Sequence, residues 1–163
     1  MPLRRKLDER HTLVSNQYFP YSAKSKGGKR ALLGIGGNIG DVGRRFEHLF
    51  WVFKRSSFLH VIETSPILIN PPFGYTEQDD FTNALLWVET QLTAKMLLRY
   101  VLAVEKRFGR TRSFQDAPRT LDIDIIFYEN VTMESKTLTL PHPAWMQRAS
   151  VLTPLSYMKG RSI

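Results

Sequence analysis

Asp122 and Asp124 are separated by one residue in the run Leu121-Asp122-Ile123-Asp124-Ile125-Ile126-Phe127-Tyr128. Alternating apolar and acidic residues suit a β-strand, where side chains two apart share a face. Both carboxylates then emerge together, and Leu121, Ile123, Ile125 and Phe127 turn to the core. Two carboxylates held this close resist joint ionisation, and a divalent cation removes the conflict. Magnesium typically takes one or two carboxylates together with substrate phosphates and water. On spacing alone, a solvated strand face is an equally good account. The arginines shift the balance: Arg110 and Arg112 flank Thr111, Arg119 lies three residues before Asp122, and Arg148 follows later. Guanidinium groups match phosphate oxygens bidentately. Beside a dicarboxylate they are the equipment of metal-assisted phosphoryl transfer. As plain ion-pair partners, Arg112 and Arg119 would equally serve Asp116, Asp122 or Asp124.

Other polar residues carry weaker signals. Gly34-Ile35-Gly36-Gly37-Asn38-Ile39-Gly40 fails the dinucleotide-binding spacing, because Ile39 stands where the third glycine belongs. It reads as a tight strand-to-helix turn, with Asn38 tolerating or bracing unusual backbone angles. His142 lies between Pro141 and Pro143 and matters only if it faces the phosphate site. Glu105, at the end of a helix, reads alone as solvated. Asn83 interrupts an apolar strand, either as a reader of a planar ligand edge or as a satisfied core amide. The three tryptophans share no spacing and read as packing.

These residues need a frame. Arg30–Gly36 reads as a buried strand. Asp41 caps a helix to about Arg55, with Val42, Phe46, Leu49, Phe50 and Phe53 on one face. Phe58–Thr64 is a strand, and a loop broken by Pro66, Asn70, Pro71, Pro72 and Gly74 follows. Phe81–Thr90 is the next strand. Thr93 starts a second helix with Ala94, Leu97, Leu98, Val101, Val104 and Phe108 at helical spacing, and Gly109 sits where it ends. Arg110–Pro118 is a polar loop, Leu121–Tyr128 a strand and Thr132–Leu140 a small hairpin. A short helix near Trp145–Leu152 closes the domain. The β-α-β-β-α-β order predicts an α+β fold: a ferredoxin-like core, an antiparallel sheet with helices packed on it.

The 163 residues fit one domain, and the absence of cysteine excludes disulfides, thiolate metal sites and cysteine nucleophiles. No apolar run approaches the roughly 20 residues of a membrane span. The net charge is +8, but residues 1–30 hold eight basic and two acidic residues, while the other 133 hold 15 basic and 13 acidic. The leader therefore carries +6 and the body +2, which gives little support to a nucleic-acid footprint on the body. Residues 1–29 read as a flexible or loosely docked basic extension, with Tyr18, Phe19 and Tyr21 available to pack onto a single domain of residues 30–163.

From about Ala31 to Leu155 the chain resembles the 6-hydroxymethyl-7,8-dihydropterin pyrophosphokinases of folate biosynthesis. The anchors are Gly36-Gly37-Asn38-Ile39-Gly40-Asp41, Thr64-Ser65-Pro66, Phe81-Thr82-Asn83-Ala84, Glu105, Gly109-Arg110-Thr111-Arg112, Pro118-Arg119-Thr120-Leu121-Asp122-Ile123-Asp124-Ile125, and Pro141-His142 with Arg148 and Pro154-Leu155. The resemblance implies transfer of the terminal pyrophosphate of ATP to the pterin hydroxymethyl oxygen, with release of AMP. It implies that Asp122 and Asp124 bind two magnesium ions, one bridging the α- and β-phosphates and one bringing in the acceptor hydroxyl. Arg110 and Arg112 would stabilise charge during transfer. Glu105, Arg119, Ile125, Thr139, His142 and Arg148 would line the ATP site. Ser65, Pro66, Leu68, Phe81 and Asn83 would form the pterin pocket. Gln115-Asp116-Ala117 departs from the family's Arg-Trp-Gly in a loop about one residue shorter, and Ser150 replaces a common aromatic. Phe73, Tyr75 and Phe114 are the candidate replacements. We expect a monomeric cytoplasmic enzyme with no membrane or specific nucleic-acid partner. The competing readings are an RNA-binding module on the same frame and a two-metal nuclease or other nucleotidyl enzyme.

Overall fold

A computed structural model describes residues 3–71, 77–109 and 120–159. The strands are β1 (Leu3–Lys6), β2 (Thr12–Ser15), β3 (Tyr21–Ser22), β4 (Lys29–Gly37), β5 (Leu59–Thr64), β6 (Ile67–Asn70), β7 (Phe81–Thr90), β8 (Asp122–Tyr128), β9 (Met133–Glu134) and β10 (Thr139–Leu140). The helices are α1 (Val42–Arg55), α2 (Ala94–Arg107) and α3 (Ala149–Ser156), and a 3₁₀ turn spans Trp145–Gln147. Eight strands form one sheet in the order β1-β2-β6-β7-β4-β8, with β5 pairing β7 and β3 pairing β5. All pairings are antiparallel.

Both long helices form where their sequences specify them. The Asp41 side chain accepts the Arg44 N–H at the start of α1, and the Thr93 side chain accepts the Met96 N–H at the start of α2. α1 buries Val42, Phe46, Leu49, Phe50 and Phe53, the five residues at helical spacing. α2 buries Ala94, Leu97, Val101 and Val104, while Leu98 and Phe108 pack at the margin. These faces meet Ala31, Leu33, Ile35, Ala84, Leu86, Val88, Ile123 and Ile125 in one core. The other sheet face is only partly covered, by α3 and the 3₁₀ turn, over a smaller core of Leu32, Leu85, Trp87, Ile126 and Phe127.

Three expectations need correction, and a fourth is narrowed. The segment after Thr64 is not all loop, because Ile67–Asn70 forms β6 and continues the line of β5 after a break at Ser65-Pro66. The leader is not loosely docked: Thr12–Val14 pairs with Ile67–Ile69, and Tyr21–Ser22 pairs with Glu63–Thr64. Its aromatic residues pack as expected, with Phe19 fully buried and Tyr18 stacked on Phe50 at 4.7 Å. Phe127 lies on the opposite face from the one alternation predicts. A bulge skips Ile126 between the pairs Leu33–Ile125 and Leu32–Phe127, and the extra residue turns Phe127 toward Trp87 and Trp145. Finally, the left-handed residue of the turn before α1 is Gly40, with φ of 72°, so of the two roles open to Asn38 bracing is the one it takes.

Candidate active site

β8 presents Asp122 and Asp124 on the face away from α1 and α2, as their alternation with the buried Ile123 and Ile125 requires. The opposing residues on β4 are Gly36 and Gly34. Neither has a side chain of its own, so the carboxylates overlook a strip of sheet backbone, with Asn83 leaning over Gly36 and Ile126 over Gly34. The strip continues in register: Asp122 faces Gly36, Gly36 faces Asn83 on β7, and Asn83 faces Leu68 on β6. With strands about 4.8 Å apart, Asn83 stands roughly 10 Å from Asp122.

Asn83 owes its place to Gly36. A Cβ on Gly36 would overlap Asn83 Nδ2. The Asn83 amide nitrogen donates to the Ile35 carbonyl over a long 3.5 Å, and its Oδ1 is buried with no partner. Asn70 Oδ1 on β6 is likewise buried and unpartnered. Asn70 pairs with Phe81, and both lie two residues from the Leu68–Asn83 pair, on its face. Buried amide oxygens normally find a donor, so two orphans on one face suit a ligand rich in N–H groups. By sequence alone Asn70 reads only as a loop breaker. Its signal, a second asparagine next to an apolar run, emerges only once β6 is recognised as a strand. Ser65 supports this pocket from behind. Its backbone N–H donates to the Leu85 carbonyl at 2.9 Å and its hydroxyl accepts the Leu85 N–H at 2.8 Å. Ser65, Pro66, Leu68 and Phe81 are all buried.

His142 does face the carboxylates. Its Nε2 lies 4.0 Å from Asp124 Oδ2, and its side chain keeps 20% exposure. Its backbone N–H donates to the Ile126 carbonyl at 2.8 Å, and its Nδ1 accepts the Ala144 N–H at 3.2 Å. An accepting Nδ1 places the imidazole proton on Nε2, toward the site. Burial, then the Arg148 charge, hold the imidazole below its usual range, against the upward pull of Asp122. Asp122, Asp124, His142 and Arg148 are therefore neighbours. Thr139 lies exposed on β10. The Ile125 side chain is buried in the helix-side core, leaving only its backbone to a ligand.

Glu105 corrects the solvated reading. It is 1% exposed, and its Oε2 accepts the Ile123 N–H at 2.7 Å. That N–H lies between the two aspartates on the sheet's edge strand, so a buried carboxylate fixes the strand that carries them. Asn38 braces the turn through its side chain: the amide donates to Gln78 Oε1 at 2.8 Å and to the Asp79 carbonyl at 3.0 Å. Arg110, Arg112 and Arg119 lie outside the described residues, as do the loop around Gln115 and the aromatic residues Phe73, Tyr75 and Phe114. Among the described residues no three acidic or imidazole groups gather as a metal cage. A pair of carboxylates still fits magnesium, which completes its octahedron with phosphate and water oxygens.

A family model described as 7,8-dihydro-6-hydroxymethylpterin-pyrophosphokinase matches residues 32–160, nearly the whole body. The chain belongs to the 7,8-dihydro-6-hydroxymethylpterin-pyrophosphokinase family. The 2-amino-4-hydroxy-6-hydroxymethyldihydropteridine pyrophosphokinase of Helicobacter pylori is 42% identical over 148 residues, covering 88% of this chain and 91% of that protein. The enzyme of the same name from Campylobacter jejuni is 38% identical over 142 residues, covering 86% of this chain and 90% of its own length. A folic acid synthesis protein of Pneumocystis carinii is 30% identical over 153 residues, covering 93% of this chain but 20% of that longer protein. The pyrophosphokinase family match takes in most of β4 and all of β7 and β8, the strands that carry Gly36, Asn83 and Asp122. The aspartate face is also where an RNA-binding module would display aromatic and basic groups, and two carboxylates there repel phosphate unless a cation intervenes.

Proposed function

We propose that this chain transfers the terminal pyrophosphate of ATP to the hydroxymethyl oxygen of 6-hydroxymethyl-7,8-dihydropterin. The hydroxymethyl oxygen forms a bond to the β-phosphorus, the bond from that phosphorus to the oxygen bridging it to the α-phosphate breaks, and AMP leaves. The hydroxyl proton passes to solvent. The observation that carries this reading is the row in which Asp122, Gly36, Asn83 and Leu68 stand side by side on one face of the sheet. A flat heterocycle read by the Asn83 and Asn70 amides would extend its one-carbon arm along that row toward the carboxylates. Leu68 and Phe81 supply apolar contact for the ring, and Ser65 and Pro66 shape the bend beside it.

Asp122 and Asp124 are the residues that would hold two magnesium ions, whose charge offsets that of the triphosphate and favours its in-line displacement. His142 presents Nε2–H and Arg148 its guanidinium to the phosphate side. Arg110, Arg112 and Arg119 extend that set in the sequence, and Thr139, Glu105 and the Ile125 backbone complete the proposed ATP surroundings. We further read the four central strands, in the order β8-β4-β7-β5 with α1 and α2 on one face, as a ferredoxin-like core. Among the described residues no helix is long and apolar enough to cross a membrane. A monomeric enzyme working in the cytoplasm, with residues 30–163 as its catalytic domain, is the reading we adopt.

The test is incubation with ATP, magnesium and 6-hydroxymethyl-7,8-dihydropterin. Stoichiometric AMP and pterin diphosphate are expected. Failure of well-folded protein to form AMP refutes the assignment.

A further inference from the structure

Among the described residues Asp122 opens an edge strand of the sheet, with its ladder partner on β4. The carbonyl of Thr120, two residues earlier, lies before the ladder begins and accepts from no strand among the described residues. Arg45 on α1 takes that place. Its Nη1 donates to the Thr120 carbonyl at 2.7 Å and to the Ile39 carbonyl at 2.7 Å. One guanidinium thus ties the turn before α1 to the segment that leads into Asp122. The turn is shaped to admit it, since a Cβ on Gly40 would come within 3.2 Å of Arg45 Nη2. On the other side of Asp122, Glu105 on α2 holds the Ile123 N–H at 2.7 Å. Asp122 is therefore bracketed by two charge-assisted bonds, one from each long helix, and such bonds are about twice as strong as neutral ones.

We propose that Arg45 is a positioning residue for the transfer reaction. Through the Thr120 and Ile39 carbonyls it sets the Asp122 carboxylate relative to the glycine turn, with Glu105 as the opposing anchor. Its hydrogen bonds are to backbone carbonyls, so it acts through Asp122. A misplacement of about 1 Å in a catalytic constellation can cost roughly 10²-fold in rate. If the guanidinium merely strengthened the fold, its removal would lower the melting temperature and leave the site of folded molecules intact.

The proposal rests on the pyrophosphokinase reading for its kinetic readout, so the test includes one that needs no turnover. Arg45→Met and Arg45→Lys are compared with the parent protein at a temperature where all are folded. The first measurement is steady-state kinetics at varied magnesium. The second is manganese titration followed by water-proton relaxation, with a non-hydrolysable ATP analogue present. For Arg45→Met we expect kcat to fall about 10- to 100-fold and metal binding to weaken several-fold, with the pterin KM little changed. Arg45→Lys, whose ammonium reaches one carbonyl, is expected to fall between the two. Parental kcat and manganese affinity in Arg45→Met overturn the proposal, whatever the melting temperature does. Should that variant not fold, Arg45→Lys decides, and a parental manganese affinity there is equally fatal. If the parent protein makes no AMP, the functional assignment fails on its own, while the manganese titration still decides whether Arg45 positions Asp122.

Discussion

Replacing Gly36 by alanine adds one methyl group, and its consequences can be worked through atom by atom. The new Cβ would project from the open face between Asp122 and Asn83 and overlap Asn83 Nδ2. Asn83 must then rotate, because the neighbouring backbone is fixed in the β4–β7 ladder. Only the long 3.5 Å bond to the Ile35 carbonyl resists that rotation. Stability should therefore fall modestly, near the low end of the ~1–3 kcal/mol typical of overpacking. Pterin recognition should fall further. A buried acceptor left mispaired costs about 1–3 kcal/mol, equivalent to a loss of roughly 5- to 150-fold in affinity. The assay is calorimetric titration with the pterin, in the presence of a non-hydrolysable ATP analogue, together with the KM for each substrate. The ATP KM should hardly move. Gly34→Ala is the matched control, since its Cβ would meet the terminal methyl of Ile126 at 3.2 Å, away from Asn83, and should cost little pterin affinity. In an Asn83→Ala background the Gly36→Ala penalty should vanish, because the group it collides with is gone. Parental pterin affinity in Gly36→Ala, or an equal loss in Gly34→Ala, refutes the reasoning.

Asp122→Asn and Asp124→Asn should each lower kcat by at least ~10²-fold, the scale seen when one stabilising group is removed from a charged transition state, while far-ultraviolet circular dichroism and melting temperature stay close to parental. His142 should titrate below the ordinary 6.5, because burial and Arg148 both disfavour its charged form. The unfolded chain then takes up the proton first. The stability contribution of neutral His142 is complete above about 6.5 and is lost as pH falls through the folded value. Urea unfolding at pH ~7.5 and ~5.5 should show a drop that His142→Gln reduces, and an equal drop in both proteins argues against it. Phe53→Ala, emptying a fully buried position, should cost about 3–5 kcal/mol in urea unfolding and leave the kcat of folded protein within a few-fold.

Local signals made much of this fold legible. The two helices could be read because their caps, Asp41 and Thr93, and their apolar spacing are properties of short windows. The Asp122–Asp124 face could be read because strand alternation holds from Leu121 to Ile125. Phe127 escaped because a bulge is set by pairing with β4, which no window of β8 reveals. β6 escaped because Pro66, Asn70 and Pro71 look like loop residues, although three successive apolar residues between them suffice for a short strand. Glu105 escaped because its partner is a backbone N–H 18 residues away. The candidate site divides in the same way: the shared face of Asp122 and Asp124 was legible from strand alternation, while the approach of His142, the orphan oxygen of Asn70 and the grip of Arg45 depend on distant parts of the chain meeting.

The hairpin formed by residues 3–15 changes what the sheet offers to other molecules. Without it, this end of the sheet would finish at Ile67-Leu68-Ile69-Asn70, a short apolar strand with open N–H and C=O groups. Such an edge is a template for pairing with a second chain and for aggregation. β2 covers it, and the free edge moves outward to Leu3-Arg4-Arg5-Lys6. All four of those residues are exposed, and three are consecutive cations. Two such edges repel each other before they can pair. The charge concentrated at the start of the chain thus guards against self-association, and a shortened form lacking the hairpin would trade a soluble rim for a sticky one.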